Sequence, residues 1–418
     1  MKIKTKELTY DKVLLEPFAK NKKPKRPNII FRVLMRLLSN KDLKKANFKY
    51  EEYNMDKIDK RKPIIVLMNH SSFIDLEIAS KILFPRAYNI VCTDDGFVGK
   101  EWLMRNLGCI PTKKFITDPV LVRDILYSIL LYPEASYTFD GTATPLPNYI
   151  GKFLHMAKVP VVMIKTEGAF LRDPLYNNLQ VRDVNVSAKV SCILSKEEVE
   201  KYSSGKIYEI VKENFTFDNF LFQQTHHIEV KENFRADYLN RILYKCPHCM
   251  KEGHMKGEGI NIKCNNCGET YTLSPYGYLK NINGNTIFSH IPSWYAWERL
   301  EVKKEIEEGR YKLDIDVDIM VMKNYKYVYK IGSGHLSHSI EGFKLVSFDN
   351  NLTYYQSPLS SYSLYSDYYW YEIGDMICIG DDKMRYYCFP KTKEDVVAKA
   401  RLACEEIYKI KANIFKKN

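Results

Sequence analysis

The chain has 418 residues, 45% of them apolar, and a formal net charge of +12, which excludes a fibrous or disordered chain and predicts roughly two or three packed domains with an anionic partner, phospholipid or nucleic acid. Its first residues, Met1-Lys2-Ile3-Lys4-Thr5-Lys6, lack the apolar core of a secretory signal, and no run reaches the ~20 apolar residues of a membrane span. The expectation is therefore a cytoplasmic protein; of its ten cysteines, four form two Cys-x-x-Cys pairs and six are scattered, a usage that suits reduced thiols and a metal site rather than disulfides.

Residues 1–45 read as a basic, amphipathic N-terminal segment. The cluster at 20–27, Lys-Asn-Lys-Lys-Pro-Lys-Arg-Pro, leads into a helix over 28–39 capped by Asn28. On it Arg32 and Arg36 share one stripe while most of the circumference is apolar. Such a helix suits a membrane interface, where each basic residue near an anionic surface adds about 1 kcal/mol of attraction. The plain alternative is that it packs on its own domain.

Residues 46–240 read as a layered α/β domain. The short apolar run from Pro63 to Met68 predicts a buried strand, which delivers Asn69-His70-Ser71-Ser72-Phe73-Ile74-Asp75 to the start of a helix. Ser72 and Asp75 form a capping-box-like pair, so the helix begins just after His70. Within one helix His70 and Asp75 would point about 140° apart, whereas across a strand-to-helix bend they can face each other. A carboxylate accepting from one ring nitrogen fixes the tautomer and assigns proton transfer to the other nitrogen, the usual pairing of a general base and its orienter. The competing reading makes Asp75 a helix cap only, worth about 1 kcal/mol.

Further along, helices are expected over 76–83, 99–107, 118–131 and 152–158, and strands over 89–92, 135–139 and 159–164. His70, Lys113 and Asp140 fall at the strand ends of this alternation, where functional residues of open α/β sheets gather. Asn69-His70 with Asp75, then Gly108-x-Ile110-x-x-Lys113, then Asp140-Gly141-Thr142, then Val159-Pro160 resemble, in order and separation, the four motifs of the glycerolipid acyltransferases typified by 1-acylglycerol-3-phosphate acyltransferase. The similarity covers roughly residues 50–240.

That resemblance implies His70 and Asp75 as catalytic residues and Lys113, Asp140, Gly141 and Thr142 as substrate-binding residues. It implies transfer of a fatty acyl group from acyl-CoA or acyl carrier protein to a hydroxyl of a lysophospholipid, lysophosphatidate-like, in phospholipid biosynthesis at the inner face of the cell membrane. Backbone amides near the helix start are the expected oxyanion donors. Lys113 stands where the family has Arg, Met163 replaces the fourth motif's second proline, and Ala143 stands at the arginine of the third motif, Phe-Pro-Glu-Gly-Thr-Arg. Arg grips a phosphate bidentately and Lys as a point charge, so these changes weaken or relocate the acceptor's phosphate site. The missing arginine also motivates an alternative, a catalytically degenerate, acyltransferase-like scaffolding protein at the membrane.

Cys246-Pro247-His248-Cys249 and Cys264-Asn265-Asn266-Cys267, separated by fourteen residues, predict a zinc ribbon over 241–275 with a structural Zn2+ on Cys246, Cys249, Cys264 and Cys267. Four thiolates leave no position for water. The ribbon lacks a dense basic and aromatic face, so no nucleic-acid partner is expected. Residues 276–418 predict a β-rich domain, barrel or small sandwich, closed by a C-terminal helix over 396–414 that a Thr392/Asp395 capping box would start.

Overall fold

The computed structural model describes residues 2–20, 22–59, 61–112, 128–147 and 149–417, with side chains as far as residue 413. Lys113 and most of the helix expected over 118–131 lie outside the described residues. Among the described residues, eight strands precede Cys246: β1 (Thr5–Glu7), β2 (Lys49–Tyr53), β3 (Ile65–Met68), β4 (Tyr88–Thr93), β5 (Cys109–Thr112), β6 (Ser128–Leu131), β7 (Val161–Glu167) and β8 (Ser187–Leu194). All but β1 form one sheet, ordered β2-β8-β7-β3-β6-β4-β5 and parallel except where β7 meets β8. Ile65, Val66, Leu67 and Met68 are fully buried; a strand covered on both faces has no polar side to alternate with, which explains its unbroken apolar run.

Sheet order positions the site. β3 lies between β6 and β7, with Leu67 opposite both Leu131 and Met163. The chain therefore leaves β3 toward His70 beside the point where it leaves β6 toward Tyr132. This corrects two expectations: residues 128–131 are strand rather than helix end, and 135–139 are irregular rather than strand. The apolar run ending at Leu131 fits either periodicity. Past it, the left-handed Ala135, at φ 55°, breaks any extended run, and Thr138 donates its N–H to the His70 carbonyl at 3.1 Å instead of to a strand.

Helix α1 (Ile29–Lys45) starts at Asn28, whose side chain accepts from the Ile30 amide at 2.9 Å. It buries only Ser39 and Leu43 and packs against α2 (Ile74–Leu83), the helix that follows His70. Arg172, buried, reaches Asp42 of α1 at 2.6 Å. No helix among the described residues is long and apolar enough to cross a membrane.

The cysteine region forms an antiparallel sheet of β9 (Met255–Glu258), β10 (Asn261–Cys264), β11 (Thr270–Leu273) and β12 (Leu279–Asn281). Helix α3 (Ile291–Glu307) follows, its fully buried Trp294 donating to the Lys245 carbonyl at 3.0 Å. The remainder is β13 (Leu313–Met322), β14 (Val328–Ser339), β15 (Gly342–Ser347), β16 (Thr353–Gln356), β17 (Tyr365–Trp370), β18 (Gly374–Gly380), β19 (Arg385–Pro390) and helix α4 (Val397–Lys417). These strands make one continuous sheet, β16-β15-β14-β13-β19-β18-β17, with β1 added in parallel to β14. The N-terminal segment thus begins as part of the C-terminal sheet. The expected capping box does not form: the Thr392 hydroxyl accepts from Glu394, and Asp395 accepts from Asn240 at 2.7 Å.

The three sheets are not independent lobes. One core runs from Phe139, Phe170 and Tyr176 through Cys246, Cys264 and Tyr271 to Trp294, Tyr368 and Leu402. On the other flank, Tyr365 and Trp370 of β17 both donate to Asp95, at 2.5 and 3.2 Å, and Arg385 pairs with Asp94 at 3.2 Å. The C-terminal sheet is docked directly on the sheet that carries His70.

Candidate active site

The bend after β3 is pinned to a neighbouring strand. Asn69, 1% exposed, donates to the Thr166 carbonyl at 3.2 Å and accepts from the Thr166 amide at 2.7 Å, so the bend is stitched to β7. His70 then places Nδ1 3.1 Å from Asp75 Oδ2. The same oxygen accepts from the amides of Ser71 at 2.7 Å and Ser72 at 3.0 Å. With the carboxylate as acceptor, Nδ1 carries the ring hydrogen and Nε2 is the basic nitrogen. Asp75 performs half of a capping box, reaching back to the amides; Phe73 is the N-cap and makes no side-chain cap bond, so the Ser72 half is absent. The amides of Ser71 and Ser72 are spent on Asp75, which removes both from the expected oxyanion donors.

The His70 ring sits between two tyrosines, Tyr132 at 4.2 Å and Tyr137 at 3.9 Å between centroids, each within 30° of parallel. Both belong to the loop that follows β6. Between them Glu134, 1% exposed, accepts from the His70 amide at 2.8 Å with Oε2 and from the Thr144 amide at 3.2 Å and hydroxyl at 3.1 Å with Oε1. Burial pushes the Glu134 carboxyl up to about 8, against the pull of those hydrogen bonds and of Arg401.

This loop brings to the candidate site residues that motif spacing alone does not single out. Tyr132-Pro133-Glu134-Ala135-Ser136-Tyr137 keeps the Pro-Glu pair of the Phe-Pro-Glu-Gly-Thr-Arg pattern, with an aromatic before it and a small residue and a hydroxyl after it. Ala135 takes the left-handed backbone that a glycine at its position would favour. The loop leaves a strand that pairs with β3, and its carboxylate touches the backbone of His70. The available signal was Pro133-Glu134; Gly141-Thr142 masked it. In this register the pattern's arginine corresponds to Tyr137 rather than Ala143.

Asp140 and Thr142 form a turn of their own. The Thr142 hydroxyl donates to the Asp140 carboxylate, both oxygens at 2.9 Å, and the Thr142 amide donates to Oδ1 at 3.1 Å. Burial raises the Asp140 carboxyl, opposed by these bonds and by Arg299. Gly141 is left-handed at φ 80°, and an added Cβ would meet the Phe170 ring at 2.8 Å, so both backbone and space require glycine there. Lys113 lies outside the described residues.

The four cysteines form a second constellation. Their sulfurs all lie within 4.8 Å of one another, with Cys246 to Cys267 and Cys249 to Cys264 each at 3.7 Å. Tetrahedral thiolates at about 2.3 Å from zinc stand about 3.8 Å apart, so the donor set and its spacing fit that ion. Met250, φ 62°, and Gly268, φ 82°, take left-handed backbone directly after Cys249 and Cys267.

Residues 49–164 match the acyltransferase family model. Among solved structures the chain is similar to the 1-acyl-sn-glycerophosphate (LPA) acyltransferase PlsC from Thermotoga maritima, with 16% identity and a TM-score of 0.31 over 44% of this chain and 78% of that one. No curated protein matches the sequence. The family match encloses His70, Asp75, Glu134 and Asp140.

Proposed function

We propose, from the premise that residues 49–164 form an acyltransferase-family domain, that the protein transfers a fatty acyl group from acyl-CoA or acyl carrier protein to a hydroxyl of a lysophospholipid, lysophosphatidate-like. The observation that carries this reading is the His70–Asp75 contact of 3.1 Å just past the C-terminal end of the central strand β3. His70 Nε2 takes the acceptor's hydroxyl proton as its oxygen attacks the thioester carbon. The new C–O bond forms, the C–S bond breaks, and the imidazolium returns the proton to the departing thiolate. Asp75 keeps the ring in one tautomer and stabilises its cation. No covalent acyl-enzyme is required.

In the same proposal Lys113 meets the acceptor's phosphate, and the Asp140-Gly141-Thr142 turn walls its pocket. Zinc on the four thiolates is structural, because a closed set leaves no coordination position for substrate. The protein meets its lipid from the cytoplasmic side as a peripheral protein, through α1. Ile30, Leu37 and Leu38 are 61–71% exposed there, beside the exposed Trp102 and near the basic cluster at 20–27. Exposed apolar side chains rimmed by cations suit an anionic lipid surface.

Tyr137 at the pattern's arginine position favours one second reading, a scaffolding protein that keeps the fold and has lost the reaction. The test is an acyl-transfer assay of the full chain with acyl-CoA and acyl carrier protein against a panel of lysophospholipids, the product identified by mass. A new diacyl product supports transfer; a folded protein inert toward the whole panel supports the scaffold.

A further inference from the structure

The loop that carries Tyr132, Glu134 and Tyr137 is gripped from the far end of the chain. Arg401, on α4 and 3% exposed, donates through Nη2 to the Ser136 hydroxyl at 3.0 Å and through Nη1 to the Tyr137 carbonyl at 3.4 Å. Its guanidinium lies over the Phe139 ring at 4.4 Å, and its Nε faces Glu405 Oε1 at 3.4 Å. Glu405 is itself fixed: the Ser363 hydroxyl donates to it at 2.6 Å, and Arg299 of α3 pairs with it at 2.7 Å.

We propose that Arg401 is a positioning residue for the His70 site, so that the C-terminal domain is an obligatory part of the acyl-transfer apparatus. Two roles compete for a buried arginine beside this loop, binding a substrate phosphate and bracing the loop. Burial decides between them. A guanidinium has five N–H donors in a rigid fork; three of them here engage Glu405, Ser136 and the Tyr137 carbonyl, and the residue is 3% exposed. A phosphate could reach the group only by opening the packing around it and disturbing the buried Glu405 pair. Arg401 therefore acts through Ser136 and the Tyr137 backbone, and thus on the ring that stacks on His70 at 3.9 Å.

The bracing is worth having at this point. The loop is irregular, contains a left-handed alanine, and must hold two rings and a carboxylate against one histidine. A displacement of about 1 Å at a general base can cost about 10²-fold in rate.

Ser136→Ala and Arg401→Lys, made singly and together in the full chain, test this. Ser136→Ala removes one acceptor and leaves the guanidinium with its other partners, so it guards against a fold lost through an unpaired charge. Steady-state kinetics and hydrogen exchange of the backbone amides at 132–139 are the readouts. Both variants are expected to exchange faster in that segment, with the seven-stranded sheet protected as in wild type. Arg401→Lys is expected to lose kcat, toward about 10²-fold, with each KM within about twofold of wild type. Ser136→Ala loses less, and the double variant is no worse than Arg401→Lys, because the two changes cut one contact. Wild-type exchange at 132–139 in a folded Arg401→Lys overturns the inference, as does wild-type kcat. The kinetic arm rests on the acyl-transfer reading. Should the wild type transfer no acyl group, that reading fails by itself, and exchange alone decides whether Arg401 positions the loop.

Discussion

The Tyr137 ring lies against the His70 imidazole, 3.9 Å between centroids and 29° from parallel, and Tyr132 covers the other face at 4.2 Å. A histidine held on both faces, with Nδ1 on a carboxylate, has one orientation to offer. A ring pair contributes about 0.5–1.5 kcal/mol beyond its buried area, so losing one face should cost about tenfold in the fraction of correctly oriented rings. Tyr137→Phe keeps the stack and should retain most of the acyl-transfer rate. Tyr137→Ala should lower kcat by about tenfold. Equal rates for the two variants would show that the stack does not matter.

Glu134 makes stability depend on pH. Its carboxyl titrates near 4.5 unfolded and near 8 folded, because burial disfavours the charge. Its stabilising contribution is therefore complete below the unfolded value, declines as pH rises between the two, and is gone above the folded one. Urea midpoints of wild type and Glu134→Gln, compared from pH 5 to pH 9, should show wild type losing ground to the variant as pH rises. A constant difference across that range would mean that Glu134 is ionised in the folded protein.

Removing zinc should disturb more than the ribbon. Cys246, Cys264 and Tyr271 share a core with Trp294 and Leu402, and structural zinc sites in small peptides contribute roughly 10–16 kcal/mol of apparent binding energy. Elemental analysis is expected to find one zinc per chain, and chelation or Cys249→Ser should lower the melting temperature of the C-terminal sheet along with that of the ribbon. Metal-free protein with an unchanged melt would remove the structural role.

The exposed face of α1 predicts lipid binding that combines apolar insertion with charge. Leu37→Ser together with Leu38→Ser should weaken sedimentation with vesicles containing anionic phospholipid, leaving the melt unchanged because both side chains are exposed. Added salt should weaken binding of wild type as well, since the basic cluster acts over roughly 10 Å at 0.1 M ionic strength. Binding indifferent to both changes would place the helix elsewhere.

How much of this was readable depended on how locally each feature is encoded. β3 was legible because burial on both faces leaves an unbroken apolar run, and the four cysteines because metal geometry imposes their spacing. His70 and Asp75 were legible because the bend between strand and helix lies within six residues. The Glu134 loop was not: Pro133 reads as a helix stop, and Asp140-Gly141-Thr142, six residues further on, repeats the third motif's Gly-Thr while folding into a turn that satisfies itself. Arg401 left no local trace at all, since the hydroxyl it grips lies 265 positions away. Its place is set by one core that joins loop and helix residues of the His70 domain to the ribbon and the C-terminal sheet, which periodicity and motif spacing cannot express.

The central claim is that His70 is the general base of acyl transfer. Its most direct test is His70→Ala, purified as a folded protein and assayed beside wild type with acyl-CoA and acyl carrier protein against the lysophospholipid that wild type uses, the product identified by mass. A general base contributes about 10²–10⁴ in rate, so the account predicts a loss of that size with the melting temperature retained. A folded His70→Ala that transfers acyl groups at close to the wild-type rate would contradict it.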